Sequence, residues 1–138
     1  MRKLLMTMLL TGNLFCMAQT AVTFYAADSH AVYASLYRNK PTDPVIVLLH
    51  GIGSSREEFN QLAPSLNNLG YNVLSTDLRN GDKYRYQQNE TSAQFKANGA
   101  NMLSPKADIE AAIAYGHKKS NQPVVLVSSG LNASYAAL

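Results

Sequence analysis

Two turns rich in small residues could carry chemistry in this sequence. The first, His50–Ser55 (HGIGSS), follows the continuous apolar run that begins at Val45. The second lies within Gln122–Leu138 (QPVVLVSSGLNASYAAL), again after an apolar run. Glycines in such turns let backbone N–H groups approach a ligand closely, and a following helix N-terminus favours negative charge. The first turn therefore fits an oxyanion hole or a phosphate site equally well.

The second turn has the pattern of a sharp strand-to-helix turn, which often presents a catalytic nucleophile at its tip. The residues two before and two after the tip must be small, because the strand and the helix pass close together there. Centring the turn on Gly130 satisfies this with Ser128 and Asn132, whereas centring it on Ser129 would place a valine and a leucine there. Sterics therefore favour Gly130 as the tip, and glycine offers no side chain for nucleophilic attack.

The elements that must position these turns alternate between strands and helices. Strands are predicted at Ala21–Ala27, Ala31–Arg38, Val45–His50, Tyr71–Asp77 and Pro123–Val127, with helices starting near Ser55 and at Ser104-Pro105 and a last one after the second turn. This alternation demands an α/β fold with a parallel sheet and right-handed crossovers. Because the carboxyl ends of parallel strands share one edge of the sheet, both turns are expected at that edge.

Two local predictions bear on the surroundings of these turns. Ser55 and Glu58 have the spacing of a capping box, in which each side chain bonds the other's backbone N–H. The segment Leu78–Leu103 is polar and is predicted to be a long loop, of the kind that is usually functional or mobile. Tyr84 and Tyr86 within it could line a substrate mouth, although a solvated loop is the simpler interpretation.

The N-terminus has the pattern of a targeting segment. Arg2 and Lys3 precede an apolar run, and Cys16-Met17-Ala18 offers small residues for cleavage before Gln19. The run is too short and too interrupted for a stable membrane span. We therefore predict a signal peptide over residues 1–18, a domain over residues 19–138, and a secreted or periplasmic location. Lipidation at Cys16 and an uncleaved anchor are the alternatives.

Composition narrows the classes of function further. The chain is 46% hydrophobic and 15% charged, which suits a folded domain. Its net charge is +3, two units of which lie in the predicted signal peptide, and no basic cluster exists beyond Lys118-Lys119, so nucleic acid is not expected as a partner. The single cysteine and three scattered histidines make no metal-ligand pattern, and no cofactor is predicted.

Four segments in order resemble the α/β-hydrolase superfamily: PVIVLLHGIGSS, GYNVLSTDLRNG, DIEAAIAYG and PVVLVSSGLNASYAAL. The similarity is to its dienelactone-hydrolase and lysophospholipase-like esterase branch, and it runs from about Thr23 to the end. It implies a mostly parallel sheet of an α/β-hydrolase fold, truncated just after the nucleophile elbow, the sharp turn at Gly130. It also implies hydrolysis of a carboxylic ester or related acyl bond through a serine.

The same resemblance assigns roles to residues of both turns. The backbone N–H groups of Ile52 and Leu131 would be the two oxyanion donors. Gly130 would occupy the nucleophile position, where the family has serine. Asp77 and Arg79 would be a pair that fixes a loop. The residues expected to support the oxyanion loop are His50, Gly51 and Gly53.

The sequence departs from the family pattern in ways that predict an incomplete and inactive hydrolase. Glycine cannot form an acyl-enzyme. In this family the acid and the histidine of the triad follow the elbow, and the eight residues after Gly130 include neither. The chain is thus expected to be a fragment or a pseudoenzyme. The alternatives are a non-catalytic domain that binds an acyl or other ligand, and a dinucleotide-binding domain that uses Gly51, Gly53 and Asp77.

Overall fold

The computed structural model describes residues 19–97 and 105–138. The strands are β1 Gln19–Tyr25, β2 Ala31–Tyr37, β3 Val45–Leu49, β4 Asn72–Thr76, β5 Lys83–Tyr84, β6 Gln87–Gln88 and β7 Val124–Ser128. The helices are α1 Leu62–Asn68, α2 Glu90–Ala97, α3 Lys106–Ser120 and α4 Asn132–Ala136, with a 3-10 helix at Arg56–Phe59. The predicted signal peptide and the predicted helix cap Ser104 lie outside the described residues.

One five-stranded sheet, in the order β1-β2-β4-β3-β7, organises the chain. The β1–β2 and β2–β4 pairs are antiparallel, and β3 is parallel to both β4 and β7. All five residues of β3 are buried, as expected for a strand covered on both faces. Leu49 pairs with Thr76 of β4 and with Ser128 of β7, so these three strands end at the same level.

Helices cover both faces of the sheet. Side chains alternate along a strand, so Val47 and Leu49 point to one face and Leu48 to the other. The first face packs against Ile109 of α3, and the second packs against Phe59 of the 3-10 helix. The α/β class predicted from the strand–helix alternation is confirmed.

The prediction of a long loop over Leu78–Leu103 is wrong for its described part. The segment contains the β5–β6 hairpin and the two-turn helix α2. Asn89 caps this helix, since its side-chain oxygen accepts the N–H of Ser92 at 2.8 Å. The buried face of α2 includes Thr91 and Ser92 beside Phe95, so no apolar periodicity reveals the helix in the sequence.

The predicted capping box is also wrong in its reciprocal half. Ser55 does cap the 3-10 helix, because its hydroxyl accepts the N–H of Glu57 at 3.4 Å. The carboxylate of Glu58 instead accepts the N–H of Gly51 at 3.1 Å. The turn after β3 folds back over the 3-10 helix and offers this donor, which places Glu58 beside the candidate site.

Candidate functional site

The turn between β7 and α4 reverses at Gly130. The N–H of Ser129 still donates to the carbonyl of Leu49 at 2.9 Å, so the sheet ladder continues one residue past β7. Gly130 then has φ +61°, in the left-handed region that favours glycine. A Cβ placed on Gly130 would meet its nearest neighbour, the Cα of Gly51, at 4.0 Å. A small side chain at this position would therefore have room and would face the turn after β3.

Two backbone donors beside this tip are free. In the turn after β3, the N–H of Gly53 donates to the carbonyl of Asn80 at 3.0 Å and that of Ser54 to the carbonyl of Gly51 at 3.1 Å. Within the described part of the chain, the N–H groups of Ile52 and Leu131 have no acceptor, and both residues are exposed. The structure thus leaves unpaired the two donors that the sequence assigned to an oxyanion hole.

His50 is a structural histidine with both ring nitrogens engaged. Its Nε2 accepts the N–H of Leu78 at 2.8 Å, so the proton lies on Nδ1, which donates to the carbonyl of Gly51 at 2.7 Å. The ring is fully buried. Burial lowers the pKa of His50, against the raising effects of the Gly51 carbonyl and of the Glu58 and Asp108 charges. The neutral ring therefore ties the turn after β3 to the turn after β4.

Asn132 ties these two turns to the elbow. This fully buried side chain donates to the carbonyl of His50 at 2.6 Å and accepts the Asn80 side-chain amide at 2.7 Å. The sequence argument treated Asn132 only as a small residue and missed this role. The sequence did contain a signal for this role: a small apolar residue would have met the steric requirement equally well, so the amide side chain indicates a hydrogen-bonding function.

Glu58 is the second residue of the site that the sequence argument missed. Its carboxylate accepts the N–H of Gly51 at 3.1 Å, and the hydroxyl of Ser129 lies near enough to favour its charged form. Partial burial would raise the pKa of Glu58, but these donors outweigh it and hold the pKa below its usual value. Ser129 itself has no positive φ. Its hydroxyl therefore lies near a charged carboxylate beside the elbow tip, in a residue whose backbone extends the strand.

Asp77 and Arg79 do not form the pair that the sequence predicted. Asp77 is fully buried and accepts the backbone N–H of Arg56 at 2.7 Å, its guanidinium at 3.0 Å and the N–H of Glu90 at 2.8 Å. Burial raises the pKa of Asp77 to about 6, against the lowering effect of these donors. With these contacts, the carboxylate is not presented to a ribose hydroxyl, as the dinucleotide-binding alternative would require.

Arg79 fixes a different part of the structure. Its guanidinium bonds Asp108 of α3 at 2.6 Å and Asp28 of the β1–β2 turn at 2.6 Å. It also lies 4.8 Å from the ring centroid of Phe95 in α2. The two residues thus anchor different elements: Asp77 holds the 3-10 helix and the start of α2, and Arg79 holds α3 and the β1–β2 turn.

The residues that the structure describes meet the requirements of neither a metal site nor a membrane-spanning helix. Within residues 19–97 and 105–138, no group of three His, Cys, Asp or Glu side chains could hold a metal ion. His30 packs edge-on against Phe95, and His117 contacts the carbonyl of Gln122 after α3. Over the same ranges, no helix has the length and apolar character needed to span a membrane.

Comparison with known proteins places this fold. No protein-family model and no curated protein sequence matches the chain. Solved structures do match it over 87% of its length. The Pyrococcus furiosus esterase Pf2001 has a TM-score of 0.61 at 19% identity, with 43% of its chain covered. A hyperthermophilic esterase from the archaeon Pyrobaculum calidifontis has a TM-score of 0.62 at 17% identity, with 37% of its chain covered. An epoxide hydrolase from an endophytic Streptomyces has a TM-score of 0.55 at 20% identity, with 33% of its chain covered.

These structures share the α/β-hydrolase fold, and the chain therefore has an α/β-hydrolase-type fold. The resemblance seen in the four sequence segments is confirmed at the level of the fold. The chain spans less than half the length of each of these three structures. At identities of 17–20% the likeness extends to the fold alone.

Proposed function

We propose that this chain provides the acyl-binding part of a hydrolase-type protein for carboxylic esters or related acyl compounds, and that its elbow cannot perform covalent catalysis. The observation that carries the proposal is Gly130 at φ +61°, at the tip of the turn after β7 and facing Gly51. This is the place where a nucleophile elbow presents its serine.

The chemistry follows from what the two turns can and cannot supply. Acyl transfer needs an atom that attacks the carbonyl carbon and donors that hold the developing oxyanion. The free N–H groups of Ile52 and Leu131 supply donors. Gly130 supplies no attacking atom, and Ser129 beside it extends the strand, with its hydroxyl near the Glu58 carboxylate. The site thus holds an acyl carbonyl without forming an acyl-enzyme.

The N-terminal pattern extends this proposal to location. Arg2 and Lys3, the apolar run and the small residues up to Ala18 support export of a chain that begins at Gln19. N-terminal sequencing of the protein recovered outside the cytoplasm tests this directly. A first residue of Gln19 is expected, and a protein that keeps Met1 would contradict a cleaved signal peptide.

The binding site is tested with an ester that should remain intact. Ethyl butyrate is titrated into the full ¹⁵N-labelled chain, with ethyl butyl ether as the matched ligand that lacks the carbonyl. We expect the ester, but not the ether, to shift the amide resonances of Ile52 and Leu131. Release of butyrate above the buffer rate would contradict the inactive elbow, and equal shifts with the ether would contradict carbonyl binding.

Leu131 offers a matched pair of variants for the same titration. Its φ of −64° is the value that proline imposes, and its N–H has no acceptor within the described chain. Leu131→Pro therefore removes the donor at small structural cost, while Leu131→Ala keeps the donor and removes the side chain. We expect only the proline variant to lose the ester-induced shift at Ile52. Equal loss in both variants would show that the side chain, and not the N–H, binds the ligand.

A further inference from the structure

A second cleft lies next to the candidate site, between the 3-10 helix and the β5–β6 hairpin. It has a volume of about 300 Å³, at the lower end of the range of small-molecule sites. Its floor is made by polar residues of the 3-10 helix and the residues after it, Glu57, Glu58, Asn60 and Gln61. The hairpin forms the opposite wall.

The side chains of the floor and of the hairpin have unused hydrogen-bonding capacity. In the described part of the chain, the side-chain amides of Asn60, Gln61 and Gln87 have no partner. The side-chain carboxylate of Glu57 has one contact among the described residues, an ion pair with Arg56 at 3.9 Å. Planar carboxylate and amide groups of this kind pair well with neighbouring hydroxyls on one molecule, because each offers two acceptors or a donor beside an acceptor.

The hairpin adds aromatic surface held in a strained turn. Arg85 and Tyr86 are its two central residues, and only Arg85 has a positive φ, of +55°. This is the pattern of a type II′ turn, which favours glycine at that position. A residue with a bulky side chain in this left-handed conformation is strained, and residues with strained backbones are concentrated at ligand-binding sites. The turn leaves Tyr86 99% exposed and sets the Arg85 guanidinium 5.5 Å from the centroid of the Tyr84 ring.

Glu58 connects this cleft to the oxyanion turn. Its carboxylate bonds the N–H of Gly51 and lies near the hydroxyl of Ser129, while the same residue lines the floor of the cleft. A ligand in the cleft would therefore lie beside an acyl group held at Ile52 and Leu131. No aliphatic side chain lines the cleft, so an alkyl chain is a poor occupant.

We propose that this cleft binds a carbohydrate, with tyrosine rings against the C–H faces of a sugar ring and with carboxylate and amide groups on its hydroxyls. A sugar combines hydroxyls and apolar C–H faces in one neutral ring, which matches the mixture of groups on the two walls. That this carbohydrate is the alcohol part of an ester rests on the proposed function, whereas its binding to the cleft does not.

The test is a titration of the full ¹⁵N-labelled chain with cellobiose, xylobiose and maltose at up to tens of millimolar. We expect at least one disaccharide to shift the side-chain amide resonances of Asn60, Gln61 and Gln87 together. If none of the three sugars shifts these resonances, the proposal is overturned. Choline chloride is titrated in parallel, and shifts with choline alone would reassign the cleft to a cation and overturn the proposal as well.

Tyr86 provides the variant and Tyr25 its matched control. Both tyrosines are exposed, and Tyr25 lies at the end of β1 outside the cleft. Tyr86→Leu is expected to weaken sugar binding about fivefold, since aromatic contacts contribute about 1 kcal/mol, while Tyr86→Phe should keep most of it. Tyr25→Leu should have no effect. Equal affinity of the Tyr86→Leu variant and the wild type would overturn the stacking role.

The two proposals fail separately. Ethyl butyrate reports on the N–H groups of Ile52 and Leu131, and the disaccharides report on the side-chain amides of the cleft. Sugar binding without ester binding would retain the cleft and contradict the proposed function. Ester binding without sugar binding would contradict the cleft alone.

Discussion

Gly81 is the position at which the structure tolerates an added methyl group least. Its φ lies outside the left-handed region, so alanine could adopt this backbone conformation. With free space, Gly81→Ala would stabilise the chain by about 0.4–1 kcal/mol, because it restricts the unfolded state. Instead, an added Cβ would lie 2.0 Å from the side-chain nitrogen of Asn89, 2.3 Å from the carbonyl oxygen of Ser54 and 2.7 Å from the Cε1 of His50.

None of these three atoms can move away freely. The Asn89 nitrogen donates to the carbonyl of Leu78 at 3.0 Å and to that of Ser54 at 3.2 Å, and it lies 3.0 Å from the Nε2 of His50. Displacing it would leave buried groups without partners, at about 1–3 kcal/mol. Overpacking adds about 1–3 kcal/mol. We therefore expect Gly81→Ala to lower the free energy of unfolding by about 2–6 kcal/mol.

Gly53→Ala is the matched control for this substitution. Gly53 lies in the same cluster of turns, but a Cβ there meets nothing within 4 Å and its φ is +76°. Its cost should be left-handed strain alone, about 1–2 kcal/mol. Urea unfolding followed by circular dichroism compares both variants with the wild type. A Gly81→Ala variant no less stable than Gly53→Ala would refute the close approach of the turns after β3 and β4.

Three further substitutions test other parts of the structure by urea unfolding. Gly130→Ser should cost about 1–2 kcal/mol, because φ +61° strains serine while its Cβ has room. A loss of about 3 kcal/mol or more would exceed this strain and would contradict that room. Burial raises the pKa of Asp77 from an ordinary 3.8 to about 6, so the folded chain binds its proton more tightly than the unfolded chain does. The stabilisation from Asp77 is thus full below about pH 4 and is lost as the pH rises to about 6. The difference in free energy of unfolding between the wild type and the Asp77→Asn variant should therefore decrease over this pH window. A difference that does not change with pH would contradict the raised pKa of Asp77. Arg79→Gln leaves the Asp108 carboxylate buried without its guanidinium and should cost about 3–5 kcal/mol of stability. Adding Asp108→Asn to the same chain should recover part of that loss. If the effects of the two substitutions simply add, the ion pair between these residues is contradicted.

Local chemistry was enough to predict the five strands of the main sheet and the two small-residue turns, but not the β5–β6 hairpin. The run at Val45–Leu49 is apolar at every position, which is the pattern of a strand covered on both faces. The elbow could be centred on Gly130 because close packing of strand and helix restricts the size of neighbouring residues. Both arguments use only residues that are adjacent along the chain.

Predictions that needed partners distant in sequence were wrong. The helix α2 was missed because its buried face is largely polar and bonds to other elements: the Thr91 hydroxyl accepts the N–H of Tyr33 in β2. Glu58 was assigned to Ser55, three residues away, but bonds Gly51 instead. Asp77 and Arg79 were matched by the family resemblance to one loop-fixing pair, whereas each bonds a charged group from a different element.

The sequence by itself determined the α/β class, the two small-residue turns and the absence of a nucleophilic side chain at Gly130, because each follows from residue type and local periodicity. Only the tertiary structure decided which groups are free to act. The His50 ring is hydrogen-bonded to Leu78 and Gly51, and the Asp77 carboxylate is hydrogen-bonded to Arg56 and Glu90. The N–H groups of Ile52 and Leu131 are unpaired among the described residues. The physical reason is that a polar group is available for chemistry only if no neighbour satisfies it, and in this chain those neighbours come from turns that the sheet brings together.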